Sequence, residues 1–322
     1  MSFPSLSIQG YLVIVVFSCL FIFAPLVYFV LYMKKVQTGY VVEFYTNTCL
    51  VNVKGELIPC FAIKNVVVGD KVTIEKVDDS KEKKAIIVSR EKRLSALSRK
   101  AKQKDKTIAA NITDIGILVT CEPKTSTEFI DKWLLTSLLS KINPFIIINK
   151  IDLDLSEDFL NKIKIYEALE IDILKVSAKN NKNLDNLKSY INDKSVMFVG
   201  NSGAGKSTLT SSLTGKLIKT SELSNNQGVH TTSISTMYEL EKNTKIIDSP
   251  GVRDLPIDGW DREEIIKGFE EIYAASENCK FSNCKHLNDE GCAVIEEVKI
   301  HKIYPTRYNN FIKFRDEELG EQ

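Results

Sequence analysis

The hydrophobic and polar positions divide this chain into three consecutive patterns. Between residues 39 and 90, short apolar–polar alternations recur, separated by turn residues such as Asn47, Gly55 and Gly69. From residue 115, runs of consecutive apolar residues alternate with amphipathic stretches of helical length. From residue 261 the apolar spacing is mostly helical. These patterns predict a small β unit, an α/β unit and a helical unit, in that order.

The first pattern predicts five short strands. They cover residues 40–44, 48–53, 57–62, 71–75 and 85–89. So many short strands in so short a stretch are typical of a small barrel, and an OB-fold is the best match. Such barrels often bind RNA through one face. A barrel with a purely structural role is the alternative.

The second pattern predicts strands that alternate with helices. The strands cover residues 115–120, 144–148, 171–176, 195–199 and 245–247, and the helices cover 127–141, 158–168 and 184–191. This alternation predicts a mostly parallel sheet that binds its ligand at the carboxyl ends of the strands. The third pattern predicts helices at 262–275, 293–303 and 306–318.

The domain organisation follows from these patterns. We expect an apolar leader over residues 1–38, an OB-fold over 39–92, a basic linker over 93–110, an α/β domain over 111–258 and a helical domain over 259–322. Residues 93–107 are polar and basic, which predicts a loop. The chain is therefore expected to be a multidomain α/β protein.

The leader contains an uncharged apolar segment over residues 10–33. As a helix it would span about 36 Å, enough to cross the hydrocarbon core of a membrane. Lys34 and Lys35 follow and would place the remainder in the cytoplasm. Two other interpretations stay open. The segment is a buried helix, or it is an upstream extension and the functional protein starts at Met33.

The charge is nearly balanced over the whole chain, but it is uneven. Residues 81–106 contain eleven basic and three acidic residues, a local net charge of +8. Such a block favours a polyanion such as RNA. The alternative is a solvated linker.

Of the seven cysteines, four are scattered and are expected to be buried apolar residues: Cys19, Cys49, Cys60 and Cys121. The uneven spacing does not indicate a disulfide framework.

A phosphate-binding loop follows the strand predicted at residues 195–199. The pattern G-x-x-x-x-G-K-[ST] is formed by Gly200, Asn201, Ser202, Gly203, Ala204, Gly205, Lys206 and Ser207, with Thr208 next. Its backbone N–H groups would point at phosphate oxygens. Lys206 is expected to reach the β- and γ-phosphates, and Ser207 to bind Mg²⁺. This motif alone leaves ATPases, kinases and GTPases open.

Two further motifs select guanine. The first is Asn149, Lys150, Ile151 and Asp152, directly after a predicted strand, and the second is Ser177, Ala178 and Lys179. The Asp152 carboxylate can accept hydrogen bonds from the N1–H and N2 amine of guanine, a donor pair that adenine lacks. Asn149 and Lys150 would brace the base and the phosphate loop. The sequence therefore predicts a GTP site.

The remaining GTPase motifs complete an unusual order. Asp248, Ser249, Pro250 and Gly251 resemble a Walker B carboxylate followed by switch II. Asp248 would hold Mg²⁺ through water, and the Gly251 N–H would sense the γ-phosphate. Thr231 or Thr232, in the switch I position, would complete the Mg²⁺ shell. Because the base motifs precede the phosphate loop, the domain is expected to be a circularly permuted P-loop GTPase.

One catalytic group of many GTPases is absent. Val252 follows the switch II glycine where a glutamine often orients the attacking water. His230 is the best local candidate for that task, since histidine can orient or accept a proton at neutral pH. A structural role for His230 is the alternative. We expect a low intrinsic GTPase rate and activation by a partner.

A metal site is expected in the helical domain. Cys279, Cys284, His286 and Cys292 fall within fourteen residues. Three thiols and an imidazole suit tetrahedral Zn²⁺, and four protein ligands leave no open position. The expected ion is therefore structural. His301 is a surface group in this interpretation, and buried cysteines without metal are the alternative.

From residue 39 onward, these motifs resemble the RsgA family of small ribosomal subunit biogenesis GTPases, which are circularly permuted. The resemblance implies late maturation of the 30S subunit, binding to 16S rRNA, subunit-stimulated GTP hydrolysis that drives release, and one zinc ion. It also implies a cytoplasmic protein, and we expect a monomer. The family pattern lacks the apolar leader. A membrane-tethered GTPase and an RNA-binding factor that uses GTP only as a structural ligand are the rival interpretations.

Overall fold

The computed structural model describes residues 6–8, 11–14, 32–76, 84–99, 105–216, 235–241, 243–248 and 260–317. The chain divides into two compact units, Met1–Arg93 and Leu94–Gln322.

The first unit contains the expected five-stranded barrel. Its strands are β3 (Tyr32–Phe44), β4 (Thr48–Val53), β5 (Glu56–Phe61), β6 (Lys71–Lys76) and β7 (Ala85–Arg90). They pair in the order β3-β4-β5-β7-β6, and β6 returns to β3, which closes the barrel. The β5–β7 pair is parallel and the other pairs are antiparallel. The OB-like barrel predicted from the alternation is confirmed.

Alternating side chains explain why these strands close. The buried positions of β4 and β6 alternate with partly exposed ones, and the inward residues Val51, Ile58 and Ile74 form one core cluster. Gly39 is required where β3 approaches β4, because a methyl group there would lie 2.3 Å from the carbonyl oxygen of Asn52. Cys49 and Cys60 lie in this core, as expected for apolar cysteines.

A buried ion pair holds the last residue of this unit. Asp70 is fully buried, and its carboxylate accepts hydrogen bonds from Nε and Nη2 of Arg93, both at 2.7 Å. The backbone N–H of Val67 donates to the same carboxylate at 2.9 Å. These bonds compensate the desolvation of the carboxylate, which would otherwise be costly.

Two short strands precede the barrel. Strand β1 (Leu6–Ile8) pairs with β2 (Tyr11–Ile14), and β2 pairs antiparallel with the start of β3. Residues 15–31, most of the apolar segment, lie outside the described residues. Within the part of the chain that is described, none of the helices combines the length and the apolar character needed to cross a bilayer.

The expectation of a loop over residues 93–107 is wrong in part. Strands β8 (Ala96–Arg99) and β9 (Lys106–Ala110) form an antiparallel hairpin. Leu97, Ala109 and Ala110 are fully buried, so a few small apolar side chains anchor an otherwise basic segment. Alternation over so few residues is masked by the surrounding lysines and arginines.

The second unit contains a six-stranded sheet. Its strands are β10 (Asp114–Val119), β11 (Asn143–Ile148), β12 (Ile173–Lys175), β13 (Ser195–Gly200), β14 (Thr236–Glu239) and β15 (Lys245–Asp248). They lie in the order β12-β11-β10-β13-β15-β14, and all pairs are parallel except β14–β15. The predicted parallel sheet is confirmed, and β14 is an antiparallel strand that the sequence pattern did not indicate.

Four helices accompany this sheet. They are α1 (Thr127–Leu139), α2 (Glu157–Ala168), α3 (Leu184–Tyr190) and α4 (Lys206–Thr214). Ser126 and Ser156 accept hydrogen bonds from the first turns of α1 and α2, which is the usual chemistry of a helix start. Strands β10 and β13 are buried along their whole length, which explains their continuous apolar sequences.

The helical end contains α5 (Arg262–Lys267), α6 (Glu270–Ser276), α7 (Ala293–Lys299) and α8 (Pro305–Glu317). The prediction of a single helix over residues 262–275 is wrong, because the chain forms two helices that are separated at Gly268 and Phe269. A methyl group on Gly268 would lie 2.1 Å from Cδ1 of Leu135, so helix α1 approaches the chain closely there. Phe269 is fully buried in the core that joins α1 to these helices.

A buried polar network fixes α8 against α1. Asp131 is fully buried and accepts hydrogen bonds from Arg307 Nη1 at 2.8 Å, Tyr166 at 2.9 Å and Asn310 at 2.6 Å. Glu271 accepts from Arg307 Nε at 2.7 Å. Burial lowers the pKa of Arg307, but Asp131 and Glu271 raise it by more, so the guanidinium stays charged. Every charge in this network is paired.

Replacing Arg307 with leucine is expected to lower the free energy of unfolding by about 3–5 kcal/mol, because it leaves Asp131 buried without its cation. Chemical denaturation of the full chain measures this. The matched control is Lys313→Ala, which removes an exposed ion pair between the same two helices, Lys313 with Glu128 at 2.7 Å. The control should cost no more than about 1 kcal/mol. Equal losses in the two variants would contradict the importance of the buried network.

Candidate guanine-nucleotide and metal sites

The carboxyl edge of the parallel sheet brings three loops together. The first is the base loop, residues 149–152, directly after β11. The second base loop, residues 177–179, follows β12, and the phosphate loop, residues 200–207, joins β13 to α4. Because β11, β10 and β13 are neighbours in the sheet, their carboxyl ends lie side by side.

Asn149 links all three loops. Its side chain is buried, donates from Nδ2 to the carbonyl oxygen of Ala204 at 2.9 Å, and accepts at Oδ1 from the N–H of Ala178 at 3.0 Å. One carboxamide therefore fixes the distance between the loop expected to read the base and the loop expected to hold the phosphates.

Lys150 and Asp152 complete the base loop. Lys150 has a left-handed backbone with φ of 65°, and its ammonium donates to the carbonyl oxygen of Glu122 at 3.0 Å. Asp152 is fully exposed, and a hydrogen bond from Ser177 holds its pKa below the usual range, assisted by Lys179 and Lys150. The carboxylate is therefore ionised at neutral pH and can only accept hydrogen bonds, as a partner for the guanine N–H groups must. Ile151 donates its N–H to Val176.

The phosphate loop depends on glycine at two positions with left-handed backbones, Gly203 with φ of 75° and Gly205 with φ of 93°. A methyl group on Gly205 would lie 2.4 Å from Nδ2 of Asn149. The Lys206 ammonium donates to the carbonyl oxygens of Gly200 at 2.5 Å and Asn201 at 3.1 Å. Helix α4 begins at Lys206, so its N-terminal N–H groups lie at the loop, as an anion site requires.

Asp248 ends β15, the strand next to β13. Burial raises the pKa of its carboxyl group, and the charge of Lys206 lowers it. The structure thus brings Asp248 near the phosphate-loop lysine, as a Walker B carboxylate requires. His230, Thr231, Thr232, Ser249, Pro250, Gly251 and Val252 lie outside the described residues, and their expected roles stay predictions.

One turn of this edge was not expected from the sequence. Residues 120–125 follow β10, between β11 and β13, and supply the carbonyl oxygen that binds Lys150. The contact is made by a backbone carbonyl, which leaves no trace in side-chain identity. The order of strands in the sheet would have indicated this contact. The loop after a central parallel strand must lie beside the loops that follow the neighbouring strands.

A second cluster lies in the helical end. The ligand atoms of Cys279, Cys284, His286 and Cys292 all lie within 4.8 Å of one another. The His286 Nδ1 is 3.6 Å from the Sγ atoms of both Cys279 and Cys292. Three sulfurs and one nitrogen at this separation fit a tetrahedral zinc ion.

The surroundings of the cluster hold its loop in place. The hydroxyl of Tyr308 in α8 donates to the carbonyl oxygen of His286 at 2.7 Å, and Asp289 accepts from the N–H groups of Lys285 and Leu287. Burial lowers the pKa of His286, and Arg315 lowers it further, so the imidazole is neutral, the form that binds metal. His301 is exposed and lies apart from the cluster, as expected.

The rotated motif order on this sheet, with the joined base and phosphate loops, defines a circularly permuted GTPase. A family model described as RsgA GTPase matches residues 90–258. The chain belongs to the RsgA GTPase family and is a GTP-hydrolysing enzyme.

Known proteins and solved structures are similar to this chain over most of its length. The small ribosomal subunit biogenesis GTPase RsgA of Haemophilus influenzae strain PittGG is 35% identical over 291 residues, which cover 85% of this chain and 83% of that protein. The crystal structure of YjeQ from Thermotoga maritima is similar with a TM-score of 0.70 and 28% identity, covering 89% of this chain and 100% of that one. The crystal structure of YloQ, a circularly permuted GTPase, shares the fold with a TM-score of 0.67 at 22% identity, covering 89% and 96%.

Substituting Gly205 with alanine is expected to abolish tight GDP binding, because the methyl group would displace the Asn149 carboxamide that joins the loops. The measurement is equilibrium binding of a fluorescent GDP analogue to the full chain. Gly215→Ala is the matched control, since Gly215 also has a left-handed φ, of 67°, at the other end of α4, but a methyl group there meets nothing within 4 Å. Comparable losses of affinity in both variants would show that backbone strain, and not the Asn149 contact, is responsible.

Proposed function

We propose that this chain is a small ribosomal subunit biogenesis GTPase that acts in the cytoplasm late in maturation of the 30S subunit. In this proposal it binds 16S rRNA, and GTP hydrolysis stimulated by the subunit releases it. The observation that carries the proposal is the Asn149 carboxamide, which joins a guanine-reading loop to a phosphate loop on a permuted sheet. The similar proteins are small ribosomal subunit biogenesis GTPases, which supports the small subunit as partner.

Guanine selection is assigned to Asp152, with the second base loop beside it. The low pKa of Asp152 supports this role because an ionised carboxylate offers two acceptor oxygens to the N1–H and N2 amine. In adenine the corresponding ring nitrogen is an acceptor, so it would face the acceptor oxygens of Asp152. A site built on hydrogen bonds to guanine therefore rejects adenine strongly.

Phosphate binding is assigned to residues 200–208, with Lys206 as the cation. The N-terminal N–H groups of α4 and the glycine backbones of the loop support this role. Ser207 and Asp248, together with Thr231 or Thr232, are the residues that would hold Mg²⁺. That ion neutralises charge that develops on the phosphates during hydrolysis.

Water activation is assigned to His230, because Val252 offers no polar atom where many GTPases have glutamine. The Gly251 N–H would sense the γ-phosphate. In this proposal contact with the small subunit activates hydrolysis through His230, and loss of the γ-phosphate releases the protein. A low rate without the subunit follows.

RNA binding is assigned to the barrel, the basic hairpin and the cysteine–histidine segment. Residues 81–106 supply a net charge of +8 for contact with phosphates, and the described strands β8 and β9 lie at the end of this block. The cysteine–histidine segment would hold one zinc ion through Cys279, Cys284, His286 and Cys292. The ion would be structural, since all four ligands come from the protein.

Purified 30S subunits are expected to stimulate GTP turnover by the full chain strongly. The variant His230→Ala should lower the stimulated rate about 10²-fold and leave the affinity for GDP unchanged. His301→Ala is the matched control, because this exposed histidine lies outside both sites. Single-turnover hydrolysis with and without subunits measures the effect. Bound GTP that is hydrolysed equally slowly in both conditions would instead favour an RNA-binding factor that uses GTP as a structural ligand.

Replacing Cys292 with serine is expected to remove the zinc ion and to lower the melting temperature, because Cys292 is both a proposed ligand and a buried member of the helical core. Elemental analysis of the purified full chain and thermal unfolding are the measurements. Cys60→Ala is the matched control, since Cys60 is equally buried but lies in the barrel. Absence of zinc from the unsubstituted chain would contradict the assignment.

A further inference from the structure

The turn at residues 120–125 is built from buried hydroxyl groups. Thr120 and Thr125 are both fully buried. The Thr120 hydroxyl donates to the carbonyl oxygen of Pro123 at 2.7 Å, and the Thr125 hydroxyl accepts from the N–H of Thr120 at 3.0 Å. These two bonds fix the path of the chain as it leaves β10, because a buried polar group that lost its partner would raise the energy of any other path.

The turn contacts the base loop and the helix that follows it. The carbonyl oxygen of Glu122 accepts from the Lys150 ammonium at 3.0 Å. The carbonyl oxygen of Thr125 accepts from the Lys162 ammonium of α2 at 2.7 Å. Lys150 has a left-handed backbone, so its conformation depends on contacts such as this one.

The same turn contacts the phosphate loop. A methyl group on Gly203 would lie 3.3 Å from Cγ of Pro123, so the proline ring packs directly over that glycine. The turn therefore contacts both the base loop and the phosphate loop, which Asn149 also joins. Its own conformation sets where the Glu122 carbonyl and the Pro123 ring can lie.

We propose that Thr120 and Thr125 are positioning residues for the guanine nucleotide. They act through the Glu122 carbonyl, which holds Lys150, and through Pro123, which limits the phosphate loop. Neither threonine belongs to a GTPase motif, and neither needs to touch the nucleotide. This inference rests on the nucleotide site proposed above and adds a fourth loop to it.

The test is Thr120→Val, which keeps the shape of the side chain and removes its hydroxyl. The Kd for GDP and the KM for GTP are each expected to rise roughly fivefold, the effect of one lost hydrogen bond, while kcat changes less than twofold. Thr120→Ser keeps the hydroxyl, so its Kd for GDP and KM for GTP should equal those of the unsubstituted chain. Thr125→Val should act in the same direction and serves as the second variant if Thr120→Val is poorly folded.

Two comparisons separate positioning from stability. Thr136→Val removes a buried hydroxyl that bonds within α1, and it should lower stability without changing the Kd for GDP. In a Lys150→Met background, Thr120→Val should have a much smaller effect on Kd, because the group through which it acts is gone. An unchanged Kd in Thr120→Val, or an undiminished effect in that background, would overturn the inference. An unsubstituted chain that binds no guanine nucleotide would overturn the proposed site itself.

Discussion

The two hydrogen bonds of the Asn149 carboxamide are the constraint on which the nucleotide site depends. They connect segments that lie 55 and 29 residues away along the chain, Ala204 and Ala178. A GTPase site needs its base and phosphate loops at a fixed separation, and it does not need them in a particular chain order. Parallel strands place their carboxyl ends at one edge whatever their order, so one buried side chain there is sufficient to join rotated motifs.

Much of the fold could be predicted because the informative signals were local. Strands β10, β11 and β13 are buried on both faces, which produces continuous apolar runs. The phosphate loop, Asn149 and the cluster of Cys279, Cys284, His286 and Cys292 were recognisable because the chemistry expected of them requires particular side chains at fixed spacings. Once the loops were located, their position at the carboxyl edge of the sheet followed from the fold class.

The features that could not be predicted depend on contacts between distant residues or on backbone atoms. The division between α5 and α6 lies at Gly268 and Phe269, where Leu135 of α1 comes close and Phe269 is buried, and a helical pattern does not reveal such contacts. The hairpin β8–β9 depends on three small buried side chains within a basic segment. The turn at residues 120–125 uses carbonyl oxygens, and every amino acid has one. Local pattern is a weak guide wherever tertiary packing decides the conformation.

The buried network between α1 and α8 has a consequence for how the chain is made. Arg307 follows Asp131 by 176 residues, and the six-stranded sheet is already complete at Asp248. During synthesis, the sheet and α1 therefore leave the ribosome before Arg307, the cation that pairs with Asp131 of α1. Until α8 has been synthesised, Asp131 lacks the two partners that α8 supplies, Arg307 and Asn310, and water must take their place. Pairing of α1 with α8 is therefore a late event relative to formation of the sheet, and a product terminated before Arg307 would keep that part of α1 exposed to chaperones and proteases.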